Sequence, residues 1–317
     1  MDSPEAAAGL AGVTMDGARA DAGPAARLVG VIGSPIAHSL SPLLHNAAFA
    51  ALGLGGAWRS LAFEVAPGQA AGALAAMRRA DISGLSVTMP HKAEVAALVD
   101  ECTEVALRLG AVNCIVNRDG VLLGTNTDGE GFVASLARGA DFTPAGKRCL
   151  VIGAGGAARA VVLALADAGA REVAVLNRTP ARADTAAALA GVSGRVVPAG
   201  AGAGAGALAE SVEAADLVVN ATPVGMAGAL PTGTDTDAEA WLVAPELLHP
   251  GQVAADLIYA PRPTRWLANA AAAGATAVDG LGMLVHQAAA QLVLWTGEEA
   301  PVEAMWRAAE AADPSTA

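Results

Sequence analysis

The sequence predicts an α/β protein of two domains, the second of them built on a parallel sheet with helices on both faces. Three observations predict this. The 317 residues are enough for two domains of ordinary size. Apolar residues make up 54% of the chain and supply full cores, although aromatic residues make up only 3%. From residue 128 onward, short apolar runs alternate with helical patterns, which is typical of a parallel sheet covered on both faces.

The N-terminal part of the chain divides into a tail and a first domain. Residues 1–26 are mainly Ala, Gly and Asp and lack the basic start and apolar block of a secretory signal, so we expect a disordered tail. The first domain is predicted to span residues 27–127. Its strands are predicted over 28–32, 58–65 and 85–88, with two more around the turn Arg118–Gly120, and its helices over 41–54, 69–79 and 92–99.

The second domain is predicted to span residues 128–279. The Gly/Ala run at 200–207 and the polar segment Gly228–Ala240 are expected to be exposed loops. A last helix over 282–295 is expected to return to the first domain, which residues 280–312 complete. In the second domain, strands are predicted over 148–152, 173–177, 217–220 and 253–257, and helices over 131–138, 153–168 (with its glycine-rich turn) and 182–190.

A turn of small residues follows the first strand of the second domain. Its five residues are Gly153, Ala154, Gly155, Gly156 and Ala157. Together with Ala158 they fit the pattern G-x-G-x-x-G/A between a strand and a helix. The first glycine permits a tight turn, the second lets a pyrophosphate approach the backbone, and the last small residue lets helix and strand pack closely. The pattern predicts a Rossmann-like, doubly wound domain that binds a dinucleotide at a helix start.

The end of the next strand distinguishes between the two nicotinamide cofactors. An NAD enzyme usually carries Asp or Glu there, which holds the ribose 2′-hydroxyl. This strand ends instead in Asn177, Arg178 and Thr179, with Arg182 close behind. Planar guanidinium groups suit a phosphate. The sequence therefore predicts NADP, with Arg178 and Arg182 flanking its 2′-phosphate.

Polar residues stand at the strand ends and helix starts of the first domain. Ser39 and Ser41 precede a helix, Thr88 and Lys92 bracket a strand end, and Asn113 follows a strand start. Singly, each has an ordinary structural explanation, since Ser41 can cap a helix and most lysines are solvated. Together they indicate a site for a hydroxylated carboxylic acid, which needs many hydrogen-bond partners.

A proton carrier completes this interpretation. Hydride transfer to a ketone leaves an alkoxide, which must receive a proton. Asp128 lies in the segment Asn126-Thr127-Asp128-Gly129 at the presumed domain junction, where Asn126 and Asp128 could also be simple turn formers. A pair formed by Lys92 and Asp128 can hold the oxygen and exchange the proton. We predict that these two residues are catalytic.

Charge and cysteine content restrict the partners. The net charge of −12 argues against nucleic acid, because no excess of Lys and Arg is available for phosphates. No apolar run is long enough to span a membrane. The three cysteines are isolated, so we expect no metal site and a reducing cytoplasm. The partner is predicted to be a small molecule, and a monomer and a homodimer both stay open.

The chain resembles the shikimate dehydrogenase family from about Leu28 to Trp295. The resemblance rests on eight sequence blocks in the same order. They are Gly33–Pro42, Ser86–Lys92, Gly110–Asn113, Asn126–Gly129, Gly153–Arg159, Asn177–Thr179, Asn220–Met226 and Asp279–Gln287. The Gly/Ala run and the long tail depart from the family pattern outside these blocks. The prolines after Tyr259 make the match there less close.

The resemblance implies reversible reduction of 3-dehydroshikimate by NADPH, a step toward chorismate and the aromatic amino acids. It implies that Lys92 and Asp128 form the catalytic pair, that the serines at 39 and 41 hold the substrate carboxylate and that Tyr259 lies near it. Residues matching Thr88, Asn113 and Gln287 would bind ring hydroxyls. The implied cofactor contacts beyond the turn and the arginine segment are Ala221, Thr222, Met226, Gly280, Gly282 and Met283.

Several alternatives stay open. A quinate/shikimate dehydrogenase of the same superfamily often uses NAD and commonly has Thr where Ser41 stands. A relative acting on aminoshikimate is another, and a folate-type dehydrogenase ranks low because it lacks the paired serines. A non-catalytic NADP-binding sensor on the same fold is the alternative from a different class. Ser41 and the paired arginines favour shikimate and NADP.

Overall fold

The computed structural model describes residues 26–199, 203–226 and 243–312, together with Thr14, Met15 and Ala18. The chain divides into two compact units. The first unit comprises Met1–Thr127 and Gln287–Ala317, and the second unit comprises Asp128–His286. The return to the first unit therefore falls at residue 287, inside a helix, whereas the predicted boundary was residue 280.

Strands and helices alternate along much of the chain. In chain order the strands are β1 (Arg27–Gly33), β2 (Trp58–Glu64), β3 (Ile82–Val87), β4 (Glu101–Cys102), β5 (Cys114–Arg118), β6 (Val121–Thr125), β7 (Arg148–Ile152), β8 (Glu172–Leu176), β9 (Gly194–Val197), β10 (Leu217–Asn220), β11 (Val253–Asp256) and β12 (Thr276–Val278). The helices are α1 (Ser41–Ala51), α2 (Ala70–Arg79), α3 (Lys92–Ala96), α4 (Glu104–Leu109), α5 (Asp128–Ala140), α6 (Gly156–Asp167), α7 (Pro180–Ala188), α8 (Ala203–Glu213), α9 (Arg265–Ala272), α10 (Gly280–Thr296) and α11 (Val302–Ala311).

The first unit is built on a mixed six-stranded sheet in the order β2-β1-β3-β5-β6-β4. β1 pairs in parallel with β2 and β3, and nearly all of its residues are buried, as expected for an inner parallel strand. β5 and β6 form an antiparallel hairpin. Its two turn residues, Asp119 and Gly120, have φ of 53° and 93°, which matches the twist of a two-residue hairpin loop.

The second unit is built on a fully parallel six-stranded sheet in the order β12-β11-β10-β7-β8-β9. The strand order reverses between β7 and β10, which is the doubly wound arrangement. Alternate residues of the four inner strands β7, β8, β10 and β11 enter different cores. Val151 packs in a cluster with Phe132 of α5, whereas its neighbour Leu150 packs in a separate cluster with Trp266 of α9. Both faces of the sheet are therefore covered, and the predicted fold class is confirmed.

Several local predictions differ from the structure. β4, α4, β9, α9 and β12 were not predicted. The Gly/Ala run was predicted to be a loop, which is wrong from residue 203 onward because α8 begins there. The polar segment Gly228–Ala240 lies outside the described residues. Most of the predicted disordered tail also lies outside them, but Met15 and Ala18 are buried in the core of the first unit, contrary to the expectation for these two residues.

The three cysteines are free thiols of differing exposure. Cys114 and Cys149 are buried, and Cys102 is half-buried. Burial raises the pKa of the Cys149 thiol to about 12, so that thiol stays protonated at neutral pH. No group of three His, Cys, Asp or Glu side chains within the described ranges is placed to hold a metal ion. Within the same ranges, no helix is long and apolar enough to cross a membrane.

Candidate active site

The glycine-rich turn lies at the point where the strand order of the second unit reverses. Gly153 has φ of 113°, which favours glycine, and a Cβ there would lie 2.8 Å from the carbonyl oxygen of Ala221, just beyond β10. The backbone N–H of Gly153 donates to the carbonyl of Leu176 at 2.8 Å. The ends of β7, β8 and β10 thus meet at this turn, which is where ligands bind in doubly wound folds.

The space in front of the turn is open. Gly155 and Gly156 are exposed, and a Cβ built on either would meet no atom within 4 Å. Gly155 is the N-cap of the twelve-residue α6 and provides no side-chain cap for its first N–H groups. Those N–H groups and the helix dipole suit an anion. Ala154 and Ala157 are half-buried beside them. The turn fits a diphosphate, which would occupy the space that side chains would fill.

The segment after β8 carries the predicted arginines. Asn177 is half-buried, and its Nδ2 donates to the carbonyl of Thr179 at 3.0 Å. Arg178, Thr179 and Arg182 are exposed, and α7 begins at Pro180. No carboxylate stands in the segment from residue 177 to 182. Two exposed guanidinium groups next to a helix start are chemically suited to a phosphate ester.

A buried polar network supports the loop after β10, and the sequence did not predict it. Asn220 Oδ1 accepts from the Thr222 hydroxyl at 2.7 Å and from its N–H at 3.1 Å, and Asn220 Nδ2 donates to Asp256 at 3.1 Å. The Thr264 hydroxyl donates to Asp256 at 2.7 Å. Burial raises the pKa of Asp256, and these hydrogen bonds oppose that shift. The only signal in the sequence was a carboxylate that ends an apolar strand.

The remaining predicted cofactor residues surround the start of α10 and the loop after β10. Gly280 is buried against the backbone of Leu257, and a Cβ there would clash with that carbonyl. The side chain of Asp279 accepts from the Leu281 N–H at 3.0 Å and so caps α10. The other predicted residues differ in exposure: Gly282 and Met283 are buried, Ala221 and Thr222 half-buried and Met226 exposed. Tyr259 is half-buried, and burial raises the pKa of its hydroxyl.

In the first unit, the segment from Thr88 to Lys92 is held by backbone contacts. The Thr88 N–H donates to Ile32 of β1 at 2.9 Å, and the Lys92 carbonyl accepts from Val112 at 2.9 Å. The fully buried His91 ring bonds the carbonyl of Val65 through Nε2 at 2.7 Å. A carbonyl only accepts, so His91 donates there. His91, for which the sequence predicted no role, therefore anchors the segment that carries Lys92.

The two predicted serines lie at the start of α1. The Ser39 hydroxyl accepts from the Ser41 N–H at 3.3 Å, and Ser41 is buried. Leu40, rather than either serine, is the N-cap residue of α1 and provides no side-chain cap. The alternative interpretation of Ser41 as a helix cap is therefore wrong.

Asn113 and Gln287 meet in a buried amide cluster. Asn113 Oδ1 accepts from the Thr127 N–H at 2.8 Å, and Asn113 Nδ2 donates to the Thr127 hydroxyl at 3.0 Å. The Thr127 hydroxyl donates to the Gln287 carbonyl at 3.1 Å. Gln291, one helical turn further along α10, donates to the side chain of Gln287 at 2.9 Å. Thr127 and Gln291 were not predicted. Thr127 lies 160 positions from Gln287, and Gln291 lies 178 positions from Asn113, whose backbone carbonyl it also contacts.

Asp128 is the first residue of α5, three residues before the predicted helix start, and it is buried. The next residue, Gly129, lies against α6, where a Cβ would be 2.7 Å from Ala164 Cβ and 2.9 Å from the Ala160 carbonyl. The position of Asp128 is thus fixed by the helix that begins at the glycine-rich turn. Lys92 belongs to the first unit and Asp128 to the second, and their pairing stays a prediction.

Comparison with known proteins identifies the family. Three family models match: the shikimate dehydrogenase substrate binding domain over residues 31–115, shikimate/quinate 5-dehydrogenase over 136–224, and the shikimate 5′-dehydrogenase C-terminal domain over 280–310. A shikimate dehydrogenase (NADP(+)) of Moorella thermoacetica is 47% identical over 281 residues, which are 88% of this chain and 91% of that protein.

Solved structures of similar proteins support the same family. Shikimate 5-dehydrogenase from Thermus thermophilus, in complex with NADP(H) and shikimate, is 38% identical with a TM-score of 0.77, covering 90% of this chain and 99% of that one. Quinate dehydrogenase from Corynebacterium glutamicum, in complex with NAD, is 29% identical with a TM-score of 0.77, covering 90% and 99%. The resemblance drawn from eight sequence blocks is confirmed, and the chain belongs to the shikimate dehydrogenase family.

Proposed function

We propose that this protein is an NADP-dependent shikimate dehydrogenase, which reversibly reduces 3-dehydroshikimate to shikimate on the route to chorismate. The open turn over Gly155 and Gly156, beside an arginine segment without a carboxylate, supports NADP as the cofactor. The relative from Moorella thermoacetica bears that activity in its name and matches 88% of the chain. The second unit would bind NADP and the first unit the substrate.

Lys92 is the proposed proton carrier, and the scarcity of lysine among the basic residues of the chain supports this proposal. Of the 19 Lys and Arg residues, only Lys92 and Lys147 are lysines. An arginine keeps its proton throughout the physiological pH range, whereas a lysine ammonium can release one. A chain that otherwise uses arginine thus has a lysine where an exchangeable proton is needed. Lys147 is explained by its surface ion pair with Asp216 at 3.2 Å.

The reaction needs one hydride and one proton. When bound, NADPH would supply the hydride that the carbonyl carbon of the substrate receives. As the carbonyl oxygen gains charge, the Lys92 ammonium gives it a proton, and in the reverse direction neutral Lys92 takes that proton back. Asp128 would accept a hydrogen bond from the reacting hydroxyl.

The other predicted residues bind and orient the two ligands. Ser39 and Ser41 would hold the substrate carboxylate, with Tyr259 close to it, and Thr88, Asn113 and Gln287 would bind the ring hydroxyls. The turn at 153–157 would hold the diphosphate. Arg178 and Arg182 would hold the 2′-phosphate, with Asn177 and Thr179 beside them. Ala221, Thr222, Met226, Gly280, Gly282 and Met283 would line the nicotinamide side.

The place and assembly of the enzyme are proposals too. Three free cysteines, two of them buried, suit a reducing cytoplasm. Both a monomer and a homodimer are consistent with the two compact units.

The first experiment compares initial rates with shikimate and quinate, each with NADP and NAD. We expect fast turnover with shikimate and NADP alone. Faster oxidation of quinate with NAD would move the protein to the quinate branch.

The Lys92→Ala variant should lose roughly 10²–10⁴-fold in kcat while still binding shikimate. Lys147→Ala, the matched control, should keep full activity. Retained turnover in Lys92→Ala would assign the proton to another group.

A further inference from the structure

Gln291 is a fully buried polar side chain on α10, one turn beyond Gln287. Its Nε2 donates two hydrogen bonds, to the backbone carbonyl of Asn113 at 3.2 Å and to Gln287 Oε1 at 2.9 Å. Within the described ranges, no donor reaches its own Oε1. A buried amide that leaves its oxygen without a partner is costly. The two hydrogen bonds that Gln291 donates must offset this cost.

The direction of the Gln291 amide follows from chemistry alone. The Asn113 carbonyl can only accept a hydrogen bond, so the NH₂ end of Gln291 must face it. If the amide were reversed, its oxygen would meet the oxygens of both Asn113 and Gln287. The NH₂ end of Gln291 in turn requires an acceptor on Gln287, which fixes Gln287 with Oε1 toward Gln291.

Asn113 independently indicates the same orientation of the Gln287 amide. The Thr127 N–H can only donate, and it donates to Asn113 Oδ1 at 2.8 Å. The NH₂ end of Asn113 therefore lies on the opposite side, where it donates to the Thr127 hydroxyl at 3.0 Å and reaches Gln287 Oε1 at 3.5 Å. Two donors thus converge on Gln287 Oε1, and Nε2 of Gln287 is turned away from both.

We propose that Gln291 is a positioning residue that holds the Gln287 amide with its NH₂ group toward the substrate. Gln287 then acts as a hydrogen-bond donor, so the substrate atom opposite it must be an acceptor oxygen. This inference rests on the proposed function, in which Gln287 binds a ring oxygen.

The test uses Gln291→Met, which keeps the size of the side chain but removes the donor. We expect the KM for shikimate to rise roughly tenfold, the loss of about one hydrogen bond, with the KM for NADP unchanged. The melting temperature should hold or rise, because a buried oxygen without a partner is removed. The control is Leu292→Ala, a buried apolar neighbour on α10, which should lower the melting temperature and leave the KM for shikimate unchanged.

A double-mutant cycle separates positioning from a general structural role. In a Gln287→Ala background, Gln291→Met should change the KM for shikimate by less than about twofold, because no amide is left to orient. Equal effects in both backgrounds, or no effect in the wild type, would overturn the proposal. Failure of the unmodified chain to oxidise shikimate would overturn the proposed function, and this inference with it.

Discussion

His45 is an uncharged imidazole in the core of the first unit. Its Nδ1 lies 3.2 Å from the Ser60 hydroxyl, and its ring meets the Trp295 ring edge to face at 4.8 Å. Burial lowers the pKa of His45 to about 3, with the Ala288 backbone partly opposing the shift. The folded protein therefore keeps this ring neutral at a pH where the unfolded chain protonates it.

The lowered pKa of His45 predicts that acid destabilises the folded protein through this residue. The unfolded chain takes up the proton below a pKa of about 6.5 and the folded chain only below about 3, so the contribution of His45 to stability falls between these values. The fall is about 1.4 kcal/mol per pH unit. Unfolding free energies measured from pH 7 to 4 should show this slope, and His45→Gln should lack it. His38→Gln, at an exposed position, should keep it. A slope unchanged by His45→Gln would contradict the assignment.

Arg178 and Arg182 are predicted to determine the choice of cofactor. Both are exposed and stand where an NAD enzyme would place a carboxylate. Replacing both with Ala should raise the KM for NADP roughly 100-fold, the loss of two charge-assisted contacts, and change the KM for NAD little. Steady-state kinetics with both cofactors measure this, with the exposed Arg307→Ala as control. Equal effects on NADP and NAD would refute the 2′-phosphate role.

At the scale of elements, α5 and α6 approach closely because Gly129 has no side chain. We expect Gly129→Ala to displace the start of α5, and Asp128 with it, since the new Cβ would lie 2.7 Å from Ala164 Cβ. Misplaced catalytic groups cost on the order of 10²-fold in kcat. Gly72→Ala in α2, where a Cβ meets open space, is the matched control and should leave kcat unchanged. Full activity in Gly129→Ala would show that Asp128 does not depend on this contact.

Elements with strong local signals were predictable from the sequence, and elements without them were not. The hairpin of β5 and β6 follows from Asp119 and Gly120, which accept positive φ. β4 has two residues and β12 three, too few to show a period. α8 begins in a low-complexity run because alanine is the best helix former, and Val212 at its far end is buried.

The candidate site also divides into parts with a local sequence signal and parts without one. The glycine-rich turn and the end of β8 were found because each is a local motif. The network of Asn220, Asp256 and Thr264 and the contacts of Gln291 with Asn113 were not found. Asn220 and Asp256 are 36 positions apart, and Asn113 and Gln291 are 178 apart. Only the tertiary structure brings such residues together.

At the scale of the whole molecule, the two units divide the proposed ligands between them. Hydrogen exchange should detect this division. NADP alone should slow amide exchange at 153–159 and 177–182 in the second unit, and shikimate alone should slow it at 88–92 and near Gln287 in the first. The exposed hairpin turn at Asp119 and Gly120 provides the control, because it exchanges by local opening and should not respond to either ligand. Protection of the glycine-rich turn by shikimate alone would contradict the assignment of ligands to units.

The buried thiols can report on local opening of the two units. Cys114 lies in the first unit and Cys149 in the second, and both are enclosed. The Cys149 thiol, with its pKa raised to about 12, is also un-ionised at neutral pH. Such a thiol reacts with an alkylating reagent only when the structure around it opens. Cys114 and Cys149 are therefore separate chemical reporters of local opening in each unit, and peptide mapping distinguishes their labelling from that of the half-buried Cys102.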